Sequence, residues 1–201
     1  MASTLKPNAL ITLADEKLYL NEGGTTFDTI IEQLINSVSS MFDSEIRSGS
    51  QLIEATENLT LSGNGQVNLY LPRWPVTSIG SITEDDVALV SGADEDYLLY
   101  AAKGYVKRMG GLVWPEGSQN IVLASVKAGY TATAQAPAVA TMPEDIRLAC
   151  MKQVAFELQQ YKRKDWGETS RSLPDGSFQR IAQGILPDVE AALNKYRRYR
   201  F

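Results

Sequence analysis

The 201-residue sequence contains no histidine and a single cysteine, Cys150. These two facts remove much of the chemistry available to a chain of this size. Without histidine there is no general base of ordinary near-neutral pKa, no Ser-His or Cys-His nucleophile pair, and none of the commonest transition-metal ligand. Cys150 cannot close an internal disulfide, and its apolar helical setting points to a buried packing residue ahead of a reactive thiol. The clusters Glu84-Asp85-Asp86 and Asp94-Glu95-Asp96 carry the oxygen ligands that suit calcium or magnesium. Neither has the spaced alternation of an EF-hand loop, and both fall between strand-like pieces, so solvated turns are expected there. Gly104, Gly110, Gly111, Gly117 and Gly129 make no phosphate-cradling motif and read as turn glycines. No paired carboxylates and no nucleophile-base spacing stand out, so the expectation is no enzyme, no catalytic residue, no cofactor and no metal.

The residues that do concentrate chemistry are at the C-terminus. Lys195, Tyr196, Arg197, Arg198, Tyr199, Arg200 and Phe201 place four cations and three aromatics in seven positions. Tyrosine and arginine are enriched at interface hot spots, and arginine with aromatics also suits a nucleic-acid backbone. A protein-docking tail is the leading reading, beside a plain helix end and direct DNA contact; Lys162-Arg163-Lys164 shares the ambiguity. Trp74 and Trp114 each precede a proline, which predicts an extended step laying an aromatic ring over a sheet edge, with a binding surface as the alternative.

The elements that must position these groups are legible from periodicity. From Thr25 to Ile46 the residues Phe27, Ile30, Ile31, Leu34, Ile35, Val38, Met41, Phe42 and Ile46 recur at spacings of three and four, which predicts a helix with one apolar stripe. Thr25 or Thr26 is its candidate cap, Asp28 complements its dipole, and a shorter helix is expected before it near Asp15 to Leu20. After Gly49 the period becomes two. Leu59 and Leu61, then Ser62-Gly63-Asn64-Gly65, then Val67, Leu69 and Leu71 read as a hairpin with an Asn-Gly turn. Strand-like pieces follow at Thr77 to Ile82, Val87 to Val90, Tyr97 to Tyr100, Tyr105 to Lys107 and Ile121 to Lys127. Thr131 to Thr141, with Pro137, reads as a linker. Thr141-Met142-Pro143-Glu144 fits a capping box, and Ile146, Cys150, Val154, Leu158 and Tyr161 form an i, i+4 ridge expected to lie between two surfaces. Lys162 to Gln183 is polar and reads as a loop or extended arm, and Pro187 opens a last short helix.

Helices, strands and helices in that order predict an α+β fold: a helical bundle from both chain ends with a small antiparallel β subdomain inserted. A single domain over residues 1–201 is expected, with helices at about 10–47 and 142–164, β structure at about 50–130, a polar loop at about 165–183 and a C-terminal helix and tail at about 187–201. With 44% apolar and 21% charged residues the chain can bury a real core. No apolar run approaches the roughly 18 residues of a membrane span, and the first residues lack the layout of a signal peptide, so no membrane association and synthesis in the cytoplasm are expected. The net charge of −5 hides opposite halves: residues 1–100 hold four basic and 15 acidic side chains (net −11), residues 101–201 hold 15 and nine (net +6). Such a chain can pair its own halves or set one copy's acidic part beside the next copy's basic part.

Taken in order, several of these pieces resemble the head-tail connector, or head-completion adaptor, family of long-tailed bacteriophages. The resemblance rests on Leu10 to Leu20 followed by the helix with Phe27-Asp28 and Ile30-Ile31, on Asn68 to Ile79 with its aromatic-Pro-Val step, on Asp96-Tyr97, on Trp114-Pro115-Glu116-Gly117 leading to Ile121-Val122-Leu123, on Ala128-Gly129-Tyr130, and on Met142-Pro143-Glu144-Asp145-Ile146 starting a helix. It covers nearly the whole chain. The polar stretch Lys162 to Gln183 departs from the family's typical short members. The resemblance implies a structural virion protein of the neck, made in the host cytoplasm. It implies a homo-oligomeric, dodecameric adaptor ring on the portal protein, joined below to a downstream head-completion or tail protein, with DNA passing through the channel without sequence-specific binding. By position, the portal-docking segment would be the basic aromatic terminus, Lys195 to Phe201. The alternative from a different class is a DNA-binding accessory protein using the basic C-terminal segments, whose binding would weaken steeply with salt.

Overall fold

The computed structural model describes residues 5–47, 52–117, 120–131, 141–164, 170–172, 178–180 and 184–197. The fold is α+β. The chain divides into two compact units, one built from Met1–Gly49 and Pro143–Phe201, the other from Ser50–Met142.

The helical unit opens with α1 (Leu13–Leu20), whose N-cap Thr12 accepts from the Asp15 N–H while the Asp15 carboxylate accepts from the Thr12 N–H, a reciprocal capping box. α2 (Asp28–Arg47) buries the stripe read from the sequence: Ile31, Ile35, Val38, Phe42 and Ile46 all face inward. α3 (Glu144–Arg163) buries Ile146, Cys150, Val154 and Leu158 and packs against α1, α2 and the last helix, α4 (Pro187–Asn194), so the expected sandwiching holds for this ridge up to Leu158. Tyr161 and Leu148 stay at the surface. The capping box expected at Thr141 to Glu144 does not form: the N-cap of α3 is Pro143, with no side-chain cap bond, and Thr141 is instead bridged to Thr131. Of the polar stretch after α3, the described residues form two short strands, Ser170–Ser172 and Phe178–Arg180, paired antiparallel.

The inserted unit holds two sheets. The first runs β1 (Ala55–Ser62), β8 (Asn120–Ala128), β4 (Ser81–Glu84), β5 (Val87–Leu89), with β3 (Val76–Ser78) also paired to β8. The second runs β2 (Asn68–Tyr70), β7 (Tyr105–Arg108), β6 (Tyr97–Tyr100). Their apolar sides supply one core that includes Leu69, Val76, Ile82, Val106, Trp114, Ile121 and Leu123. A bulge opposes Asn58 of β1 to two residues of β8, where Ser125 takes φ 50° and its N–H donates to the Asn58 amide oxygen at 2.8 Å.

Three sequence expectations fail in this unit, for identifiable reasons. Thr77 to Ile82, read as one strand-like piece, is two strands, β3 and β4, which pair with successive stretches of β8 on either side of the Ser125 bulge. The hairpin through Asn64-Gly65 does not exist, because β1 and β2 belong to different sheets. The turn chemistry is instead spent on a third segment: the Gly65 N–H donates to the Trp114 carbonyl (2.8 Å) and the Trp114 N–H to the Gln66 carbonyl (2.9 Å). A Cβ on Gly63 would lie 1.7 Å from the Pro115 carbonyl oxygen, so this crossing requires glycine. The two-residue turn with both φ positive occurs at Asp85-Asp86 between β4 and β5 (φ 47° and 65°), inside one of the acidic clusters. Trp114, expected over a sheet edge, is fully buried, and its indole N–H donates to the Val106 carbonyl at 3.2 Å. The Trp74-Pro75 bond is cis and Trp74 is half-buried.

Candidate interaction surfaces

The cationic aromatic terminus starts where α4 stops. Lys195 caps that helix, and the next turn folds back onto the unit's own carboxylates. The Tyr196 hydroxyl donates to Asp145 Oδ1 at 2.7 Å and Lys195 Nζ approaches Asp145 Oδ2 at 3.4 Å. Burial alone would push the Asp145 carboxyl up, but the Tyr196 hydroxyl and the Lys195 ammonium outweigh it and hold the group below its usual range. Arg197 Nε donates to the Glu45 carbonyl oxygen at 3.1 Å, and its guanidinium pairs with the Glu45 carboxylate. Asp145 is in the first turn of α3 and Glu45 in the last turn of α2, the two helix ends that flank the 50–142 insertion in sequence. Three of the seven predicted site residues, Lys195, Tyr196 and Arg197, are thus brought together as a root. Arg198, Tyr199, Arg200 and Phe201 lie outside the described residues.

The second basic run is partly spent within the unit. Lys162 pairs with Glu22 and sits 4.4 Å from the Phe27 ring centroid, while Arg163 and Lys164 are exposed. Lys162 therefore contributes less to a DNA-binding surface than its sequence neighbours suggest.

Two buried groups escaped the sequence reading. Glu16 of α1 is fully buried with neither carboxylate oxygen hydrogen-bonded, and burial pushes its pKa from an ordinary 4.5 up to about 8. The alternation of α1 contains no signal for this, because its apolar Leu18 is 83% exposed. Gln153, also buried, donates from Nε2 to the Gly184 carbonyl (3.1 Å) and accepts the Leu186 N–H (3.1 Å), which fixes the approach to α4. Cys150 is buried and unpaired, and burial first, then the nearby Glu16, raises its thiol pKa, so the packing role expected of it is what the structure gives.

The grooves are shallow. One of about 310 Å³ is lined by Leu34, Phe156, Glu157, Gln160, Tyr161 and Gly184, and another of about 380 Å³ by residues of the first sheet with Tyr97 and Leu99. Glu157 is raised by burial but faces no nucleophile in that lining. Among the described residues no three acidic, Cys or His side chains converge on a common point. Glu84 pairs with Arg108 at 2.9 Å, and Asp96 accepts the Val90 N–H, so both acidic clusters are organised as turns.

A family model described as head completion protein matches residues 9–199. The chain belongs to the head completion protein family. Head completion is a structural role and not a class of enzyme activity. Among solved structures, a chain from the neck of an empty GTA particle, computed with C6 symmetry, has the same fold. It matches at a TM-score of 0.59 and 17% identity, covering 98% of this chain and 94% of that one. No curated protein sequence matches. The head-completion resemblance read from Leu10 to Ile146 is thereby borne out, as is the α+β fold class.

Proposed function

We propose that this head completion protein is the subunit of an adaptor ring on the portal, in the neck of the virion, lining the DNA exit channel and holding a downstream head-completion or tail protein below. The observation that carries this reading is the family match over residues 9–199. The neck neighbour computed with C6 symmetry supports a ring of copies, and sixfold symmetry is compatible with a dodecamer. The whole chain acts as one connector, made in the host cytoplasm, and DNA passes it without sequence-specific contact.

Portal docking is assigned to Lys195 through Phe201. The anchored root supports this assignment: Lys195, Tyr196 and Arg197 are already held by Asp145 and Glu45, so these three residues lose little further freedom on binding. Mass photometry of the purified protein with and without portal tests the reading. Portal-dependent assembly of many copies is expected, and a strict monomer that ignores portal would contradict it.

A further inference from the structure

The inserted unit carries nine acidic and five basic side chains. Arg73 and Arg108 are buried beside Glu57 and Glu84, and Lys127 pairs with Glu54. Lys107 is in β7, at a position facing outward from the β2-β7-β6 sheet, and Lys103 is exposed in the short turn between β6 and β7.

That face has an unusual row. Tyr70, Tyr105 and Tyr100 are directly opposite one another across the three strands, with ring centroids 5.4 Å and 4.7 Å apart. The side chains of the neighbouring positions, Leu69 and Val106, point the other way into the core. Tyr70 remains 56% exposed, and the next outward row is Asn68, Lys107 and Leu98, so the sheet's outward strand positions include no acid. The tyrosine row, with one stacked and one tilted ring pair, and Lys107 beside it form a platform that is apolar in its rings and cationic at its rim.

The same unit also holds the opposite surface. β5 is an edge strand of the first sheet, and the turn leading into it exposes Asp85 and Asp86. Val87 and Val90, at its start and just past its end, are 64% and 54% exposed. An exposed edge with apolar residues is a surface that soluble chains usually cover. One unit thus has a cationic aromatic face and an anionic aliphatic edge, the two unlike, complementary faces that a closed heterologous ring requires.

We infer that the tyrosine-lysine face of β2-β7-β6 receives the Asp85-Asp86-Val87 turn of a second copy of this chain, joining neighbours head to tail around the ring. This rests on the adaptor-ring reading and adds to it the surfaces through which subunits meet.

The test uses two full-length variants. The face variant carries Lys107→Glu. The turn variant carries Asp85→Asn, Asp86→Gly and Val87→Lys, an Asn-Gly pair that keeps the positive-φ turn while reversing its charge. Each alone sets like charge against like and should associate with itself at least about tenfold more weakly than the wild type. An equimolar mixture should regain association, because each variant's altered surface then meets its complement in an alternating ring. Association is read by sedimentation of the purified chains and by incorporation into particles, with circular dichroism establishing that both variants fold.

Recovery in the mixture with loss in each alone supports the inference. Either variant assembling alone as the wild type does would overturn it. So would folded variants that both fail and are not rescued by mixing, which would mean that the face meets nucleic acid or another head protein instead. A wild-type chain that neither self-associates nor enters particles would overturn the adaptor reading as well; a wild type that enters particles together with both single variants would overturn this inference alone.

Discussion

The two units distribute their charge differently. In the helical unit cations are turned onto anions of the same unit: Lys17 onto Asp28, Arg147 onto Asp15 and Glu144, Lys152 onto Asp188, Lys162 onto Glu22, and the terminal Lys195 and Arg197 onto Asp145 and Glu45. In the inserted unit Arg73, Arg108 and Lys127 are matched to Glu57, Glu84 and Glu54, while Tyr70, Asp85, Asp86 and Val87 are exposed. The difference indicates a division of labour. The helical unit fixes the root of a terminal segment, and the β unit keeps unlike faces available to neighbours. The chain's acidic first half supplies carboxylates to Arg108, Lys127, Arg147, Lys162 and Arg197 of its basic second half, while Lys152 and Lys195 pair within that half.

The comparison breaks most sharply in the β core. Trp114→Ala removes a fully buried ring and leaves the Val106 carbonyl without its indole donor, so a loss of about 4 kcal/mol in unfolding free energy is expected by denaturant titration. A loss below about 1 kcal/mol would mean that Trp114 does not organise the two sheets.

In the helical unit the largest effect is pH-dependent. Glu16 is raised from 4.5 to about 8, so the folded state holds the proton while the unfolded chain releases it. Nothing is lost below pH 4.5; stability falls as pH rises from there to about 8 and is then level. Glu16→Gln should remove this slope, so that the stability difference between variant and wild type changes by about 3.5 kcal/mol between roughly pH 5 and 8 in thermal melts. Parallel pH profiles would show that Glu16 is not buried in neutral form.

Smaller effects sharpen the picture of the terminal root. Tyr196→Phe deletes the hydroxyl that donates to Asp145 and should cost about 1 kcal/mol. Lys162→Ala breaks a surface pair with Glu22 and should cost only about 0.5 kcal/mol, falling further as salt is added. A larger cost for Lys162 than for Tyr196 would make the Glu22 pair, and not the Asp145 bond, the stronger anchor of the helical unit.

How much was legible in the sequence follows from the range of the interactions. The stripe of α2 and the ridge of α3 were readable because helical contacts repeat every three or four residues, and most strands of the β unit were readable within a residue or two from period two, but the break between β3 and β4 inside Thr77 to Ile82 was not. Strand pairing was not, because Asn64-Gly65 signals a turn but says nothing about which strands flank it, and the turn's hydrogen bonds go to Trp114. The terminal cluster was visible as a composition, but its partners Asp145 and Glu45 lie about fifty and about 150 positions away, beyond any local pattern. The tyrosine row is hidden for the same reason: Tyr70, Tyr100 and Tyr105 become neighbours only once the register of β2, β7 and β6 is known.

The central claim is that the C-terminal segment docks the portal from a root fixed on the helical unit. Removing Arg198 to Phe201 while keeping Lys195, Tyr196 and Arg197 tests it most directly, by measuring melting temperature and portal binding on the same truncated protein. An unchanged melt with portal association and head joining lost is the expected result; undiminished portal binding and full head joining by the truncated chain would contradict the account.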